Sequence, residues 1–75
     1  MPVTIHLHTI LQVNNKAKQE VNISPGSNVQ DVIDQLGLYL NLAEILLVVN
    51  QRLVDPYQVL QEGDEIHIIP AISGG

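Results

Sequence analysis

The chain has 75 residues, enough for one small domain with a single continuous core. Hydrophobic residues make up 45% of the sequence and charged residues 15%, which argues against disorder. The net charge of −5 argues against binding to nucleic acid or to an anionic membrane surface, because both need a basic patch. The chain has no cysteine, no apolar run of about 18 residues and no signal peptide, so we expect a cytoplasmic protein.

The first part of the chain predicts a β-hairpin. Residues 3–7 alternate between apolar and polar side chains, the period of a half-buried strand, and Ile10 continues the apolar run. Turn-forming residues follow at 14–16, and residues 19–23 predict the second strand. The side chains that we expect to face the core are Val3, Ile5, Leu7, Val21 and Ile23.

A helix of about ten residues is predicted next. Its apolar residues recur at i, i+3, i+4 and i+7, which places them on one stripe: Val29, Val32, Ile33 and Leu36. Either Ser27 or Asn28 can cap the first turn, and Gly37 stands where a left-handed residue commonly ends a helix.

The second half of the chain predicts three more strands. We expect a loop with one helical turn over 38–44 and then an apolar strand over 45–49. A tight turn at 50–51 leads into a short antiparallel strand over 52–54. A turn at 55–56, a short helical turn over 57–60 and a loop over 62–64 precede the last strand, over 65–69. In that last strand Ile66 and Ile68 are expected to face the core.

This order of elements predicts an α+β fold of the β-grasp (ubiquitin-like) type. A mixed sheet of four to five strands would carry one main helix on one face, with the first and last strands side by side. We expect the β-grasp domain to span residues 1–70 and a flexible tail to span residues 71–75. Ile10 and Ile69 would then lie on the face opposite the helix, together with alternate residues of 45–49. Exposed apolar residues of this kind often mark a docking surface for another protein.

The tail is the sharpest feature of the sequence, Pro70-Ala71-Ile72-Ser73-Gly74-Gly75. Residues without a Cβ can pass through a narrow channel, so the tail could carry a terminal carboxylate into the active site of another protein. A carboxylate is a poor nucleophile and would need activation there, most plausibly as an acyl phosphate or an acyl adenylate.

The β-grasp order, the Gly63-Asp64-Glu65 turn and the Gly-Gly ending resemble the ubiquitin-like sulfur carriers of the MoaD/ThiS family. The resemblance covers the whole chain, and the helix segment 29–38 and the strand end at 47–50 also fit it. The family comprises the small subunit of molybdopterin synthase and the sulfur carrier of thiamine-thiazole synthesis.

The resemblance implies a carrier that is not itself an enzyme. An adenylating enzyme similar to the ubiquitin-activating type (E1-like) would use ATP to adenylate the Gly75 carboxylate, and a persulfide donor would convert it to a thiocarboxylate. Gly74 would give clearance in the partner's channel, and Ser73, Ile72 and Ala71 would lie along that channel. The carrier would bind no cofactor, because the partner consumes the ATP. The sulfur would then pass to a cofactor precursor on the large subunit of molybdopterin synthase or on thiazole synthase.

The ending resembles the molybdopterin-type carriers more closely, whereas Leu36-Gly37-Leu38 is also compatible with the thiamine type. The absence of phenylalanine near the tail departs from many molybdopterin-type members. The alternative to a carrier is a β-grasp interaction module that binds partners through its sheet. Deletion of Gly75 would abolish the activity of a carrier and leave the affinity of an interaction module unchanged.

Three histidines and two acidic pairs are the other groups with chemical potential. His6, His8 and His67 would share one sheet face and could in principle bind zinc, but no carboxylate partner is evident, and we expect no metal site. The pairs Asp31/Asp34 and Asp64/Glu65 are expected to be solvated surface groups.

Overall fold

The structure is a computed structural model that describes residues 1–8, 18–37 and 42–71. In the described residues the chain forms five strands, one α-helix and one 3₁₀ turn. These elements are β1 (Pro2–Leu7), β2 (Lys18–Asn22), α1 (Val29–Gln35), the 3₁₀ turn (Leu42–Glu44), β3 (Ile45–Val49), β4 (Arg52–Val54) and β5 (Glu65–Pro70). No helix in the described ranges is long and apolar enough to span a membrane.

The strands form one mixed sheet in the order β2-β1-β5-β3-β4. β1 and β5 are parallel neighbours in the centre, while the pairs β1–β2, β3–β5 and β3–β4 are antiparallel. The prediction of a mixed sheet with the first and last strands side by side is therefore confirmed. The β-grasp arrangement follows from it, because α1 connects the two hairpins.

The core consists of aliphatic side chains between the sheet and α1. The alternation on β1 and β5 predicts the buried residues correctly, because Ile5, Ile66 and Ile68 are each 0% exposed. The apolar stripe of α1 packs against them through Val29, Val32 and Ile33. Burial of one such side chain contributes about 1.5–3 kcal/mol, so this layer is the main source of stability. No polar residue of the described ranges is fully buried.

Asn28, one of the two predicted caps, begins the helix. Its Oδ1 accepts from the N–H of Asp31 at 2.8 Å, and Oδ2 of Asp31 accepts from the N–H of Asn28 at 2.9 Å. This reciprocal capping box satisfies two of the N–H groups that the helix leaves unpaired. α1 has seven residues and is shorter than predicted, because Gly37 adopts φ +69° one residue after the C-cap Leu36.

The prediction of a helical turn over residues 57–60 is wrong. The chain instead makes a turn in which the N–H of Gln58 donates to the Asp55 carbonyl at 3.2 Å and Oδ1 of Asp55 accepts from the N–H of Tyr57 at 2.8 Å. Val59 then forms an isolated bridge with Asn28, and Leu60 is buried in the core. The aspartate side chain fixes the turn locally, and burial of Leu60 draws the following segment into an extended path.

The tight turn between β3 and β4 is confirmed, and it is tied to the start of β5. Asn50 and Gln51 have φ values of +49° and +71°, the left-handed pair that suits the twist of a two-residue hairpin. The Asn50 amide donates from Nδ2 to Oδ1 of Asp64 at 2.7 Å, and its Oδ1 accepts from the N–H of Glu65 at 3.0 Å. The hairpin tip and the last strand therefore hold each other in register.

Candidate functional site

The sheet face that points away from α1 carries a cluster of apolar side chains. On β3 the alternation leaves Leu46 and Val48 outside the core, and the register pairs them with Ile69 and His67 of β5. Leu53 of β4 lies opposite Val48 on the same face. We call Leu46, Val48, Leu53 and Ile69 the apolar patch.

Two members of the apolar patch are well exposed, Leu46 at 42% and Leu53 at 70%. Leucines this exposed and adjacent on one face are the type of surface that another protein covers. Strand alternation predicts Ile69 and alternate residues of 45–49 on this face, whereas Leu53 was not predicted there. The signal for Leu53 was available, because a two-residue turn at 50–51 sets residue 53 opposite residue 48.

The C-terminal segment leaves the sheet next to the apolar patch. Ile45 pairs with Pro70, and the N–H of Ala71 donates to the Glu44 carbonyl at 2.8 Å. The predicted tail residue Ala71 is thus held to the body by a backbone hydrogen bond. The other predicted site residues lie outside the described residues, namely Ile10, Ile72, Ser73, Gly74 and Gly75.

The three histidines meet on the same outward face. The rings of His6 and His67 stack with their centroids 4.1 Å apart and their planes 3° from parallel. Nε2 of His8 lies 2.9 Å from Nδ1 of His67, a hydrogen-bond distance. We call His6, His8 and His67 the histidine row. It adjoins the apolar patch directly, because His67 and Val48 are cross-strand partners.

The electrostatics of the histidine row favour an uncharged ring at His67. Burial lowers the pKa of His67 below its usual value of 6.5, and the nearby His6 and His8 lower this pKa further, while Glu65 acts in the opposite direction. Glu65 is the carboxylate that the sequence analysis did not find, with Oε1 3.8 Å from Nε2 of His6. That nitrogen is buried and has no hydrogen-bond partner.

The geometry of the histidine row does not suit a metal ion. Among the described residues no group of three or more histidine, aspartate or glutamate side chains is arranged to hold one. Two parallel stacked rings direct their nitrogen lone pairs side by side, whereas a zinc ion needs lone pairs that converge from tetrahedral directions. A recess of about 220 Å³ opens beside the row, lined by Asn50, Gln51, Glu65 and His67.

The acidic pairs act in local structure. Asp31 belongs to the capping box, and Oδ1 of Asp34 accepts from Nε2 of Gln30 at 2.9 Å. Asp64 binds the Asn50 amide through one oxygen and accepts from the N–H of Gln61 at 2.8 Å through the other. These contacts fix a helix start and a loop, and the pairs are not arranged as a catalytic acid and base.

The ThiS family matches residues 8–75, which is most of the chain and includes both glycines of the ending. The chain belongs to the ThiS family. The resemblance to ubiquitin-like sulfur carriers of the MoaD/ThiS type is thereby confirmed. No curated protein sequence matches the chain.

Solved structures show the same fold over the full length. SAMP1 of Haloferax volcanii superimposes with a TM-score of 0.82 at 19% identity and covers 100% of both chains. The complex of subunits 1 and 2 of the molybdopterin-converting factor from Helicobacter pylori contains a chain with a TM-score of 0.70 at 20% identity, again with 100% of both chains covered. The Amycolatopsis orientalis BexX/CysO complex contains one with a TM-score of 0.72 at 24% identity, covering 97% of this chain and 99% of that one. These likenesses confirm the β-grasp fold of this ThiS-family chain.

Proposed function

We propose that this chain is a sulfur carrier whose Gly75 carboxylate is adenylated by a partner enzyme and converted to a thiocarboxylate. The observation that carries the proposal is the ThiS-family match, which runs through the Gly74-Gly75 ending. The placement of Ala71 beside the apolar patch supports it, because a partner that covers the patch also lies next to the start of the ending.

The chemistry takes place in the partner's active site. A carboxylate oxygen of Gly75 attacks the α-phosphorus of ATP, and pyrophosphate leaves. A persulfide sulfur then attacks the acyl adenylate and AMP leaves, after which a thiol cleaves the S–S bond to give the thiocarboxylate. Its sulfur is a better nucleophile than a carboxylate oxygen, and it is delivered to a cofactor precursor. In this scheme the chain is a substrate, so it needs neither a cofactor nor catalytic side chains of its own.

The apolar patch is the docking surface in this proposal. The first partner is an E1-like adenylating enzyme, and the second is the large subunit of molybdopterin synthase or thiazole synthase. Relatives in Helicobacter pylori and Amycolatopsis orientalis form complexes with a second protein, which supports a protein partner here. The net charge of −5 would steer the carrier toward basic partner surfaces. We favour the molybdopterin pathway on the form of the ending, and thiamine-thiazole synthesis is the alternative acceptor route.

The direct test is the intact mass of the protein from its native host. We expect a fraction that is heavier by one oxygen-to-sulfur exchange and a fragment spectrum that places the exchange on Gly75. As a reconstituted test, the protein is incubated with ATP and the adenylating enzymes of that host, and adenylate formation is followed by exchange of labelled pyrophosphate. Deletion of Gly75, or addition of one alanine after it, should abolish exchange, whereas Glu62→Gln in an exposed loop should not.

The second candidate is an interaction module that docks through the apolar patch without chemistry at its terminus. The exposure of Leu46 and Leu53 is the observation that favours it, because docking alone would account for both. Absence of adenylate formation with every adenylating enzyme of the host, together with partner binding that survives deletion of Gly75, would establish this second function and exclude the first.

A further inference from the structure

The outward face of the sheet divides into an apolar half and a histidine half that share a border. The apolar patch occupies β3 and β4 and one position of β5, and the histidine row occupies β1, the residue that follows it and β5. In one line across the sheet the register places His6, His67, Val48 and Leu53 side by side. One position further, the N–H of His8 donates to the Ile68 carbonyl at 3.2 Å, which sets His8 next to Ile69. A partner that covers the apolar patch therefore reaches the histidine row.

The contacts within the histidine row disfavour two protonated rings at the same time. In the 2.9 Å contact between His8 and His67 one nitrogen must donate and the other must accept. Protonation of both rings would set two N–H groups against each other and break this hydrogen bond. The stack of His6 on His67 at 4.1 Å would likewise bring two positive rings together. The lowered pKa of His67 agrees with this geometry.

The groups that face the row from the neighbouring strands do not compensate for a second proton. The described charged residues on this face are Glu65 on β5 and two residues of β2, namely Lys18, the cross-strand partner of His6, and Glu20, the cross-strand partner of Thr4. From β3 the row meets the uncharged Val48. Two carboxylates and one ammonium leave one negative charge on this face, which can balance one proton on the three imidazoles and leaves a second proton unbalanced.

We propose that the adenylating partner covers the histidine row together with the apolar patch, and that docking requires the uncharged row, so that acidification releases the carrier. The partner surface over the row is apolar or weakly basic. A partner carboxylate is disfavoured there, because Glu65 already faces His6 and the chain as a whole carries a charge of −5. This inference rests on the proposed function, and it adds a proton linkage to the same docking surface.

The test measures the KM for the carrier in ATP–pyrophosphate exchange with the adenylating enzyme at pH values from 7.5 to 5.5. For the natural sequence we expect KM to rise severalfold over this range, up to the roughly tenfold that results when docking excludes one proton from a histidine of ordinary pKa. The triple variant His6→Gln/His8→Gln/His67→Gln removes every ring of the row and should reduce the rise to less than about twofold. The double variant His8→Gln/His67→Gln removes two of the three rings and serves if the triple variant does not fold.

Glu20→Gln is the matched control, because it makes the outward-facing edge strand β2 more positive by one charge and leaves the histidines intact. It should keep the full dependence of KM on pH. Equal pH dependence in the natural sequence and in both histidine variants would overturn the proton linkage, while adenylation itself would still support the carrier function. Absence of adenylation at every pH would overturn both. Nitrogen-15 NMR of the free protein gives a second readout: a His67 ring that titrates at its ordinary pKa would also overturn the linkage.

Discussion

The docking role of the apolar patch can be tested by replacing its two most exposed leucines with serine. Complete burial of a leucine contributes about 2.5 kcal/mol, and only the fraction exposed in the free protein can be gained on docking. With Leu46 exposed at 42% and Leu53 at 70%, a partner that covers both gains about 1 and about 1.8 kcal/mol respectively. The double variant should therefore bind the partner about a hundredfold more weakly.

The assay is titration calorimetry or surface plasmon resonance with the purified adenylating enzyme, after the unfolding free energy of each variant has been measured. Leu53→Ser should change that free energy by no more than about 0.5 kcal/mol, because the side chain makes little use of the core. Val59→Ser is the matched control. Val59 is 54% exposed but lies beside the start of α1, away from the outward face. Equal affinities for the double variant and for the natural sequence would refute docking through the patch, and so would an equal loss in the Val59 variant.

Four further predictions concern stability and are measured by urea unfolding. Ile66→Ala should lower the unfolding free energy by about 2–5 kcal/mol, because Ile66 is completely buried at the centre of the sheet. Asn28→Ala removes the cap of α1 and should cost about 1 kcal/mol, whereas Gln30→Ala two residues further along should cost less. Gly37→Ala should cost about 1–2 kcal/mol through its backbone alone, since an added Cβ at φ +69° meets no atom within 4 Å. Acidification should destabilise the protein through His67, because the pKa of this ring in the folded protein lies below its usual value of 6.5. The contribution of the ring to stability is complete above about pH 6.5 and is lost as the pH falls through the folded pKa. His67→Gln should therefore make the unfolding free energy depend less on pH.

Each of these has a result that would contradict its reasoning. The smallest loss expected for Ile66→Ala is about 2 kcal/mol. A measured loss of less than about 1 kcal/mol would mean that the core repacks and leaves no cavity. Equal losses at the two helix positions would show that the capping box contributes nothing beyond helix propensity. If Gly37→Ala leaves the unfolding free energy unchanged, the backbone after the C-terminus of α1 adopts another conformation without cost. If His67→Gln loses stability on acidification as steeply as the natural sequence does, the loss comes from the carboxylates and not from His67.

Most of the fold could be predicted from the sequence, because the apolar residues of the main strands and of the helix recur at regular spacing. The alternation over residues 3–7 and 65–69 identified the buried isoleucines, and the i, i+3, i+4 spacing located the helix. The segment 57–60 was mispredicted because its conformation depends on a contact distant in sequence. The N–H of Leu60 donates to the carbonyl of Ser27 at 2.8 Å, and no local pattern encodes that bond.

The candidate site, too, could be predicted from the sequence only in part. Ile69 follows from strand alternation alone, whereas Leu53 needed the register across a two-residue turn. The stack of His6 on His67 needed the parallel pairing of two strands about sixty residues apart in sequence. The β-grasp prediction implied that pairing and placed these rings on neighbouring strands. Their contact distances and the approach of Glu65 depend on side-chain conformations, which the sequence pattern does not determine.

The core and the outward face are fixed by one register, and this links the stability of the protein to its proposed docking surface. The pairs Ile5–Ile66 and Leu7–Ile68 lie in the core, and the pair between them, His6–His67, lies on the outward face. A slip of one residue between these strands would move the histidines into the core and the isoleucines into solvent, since side chains alternate with a period of two. The isoleucines therefore hold the histidine row in place, and substitutions on the outward face can change docking without shifting the register.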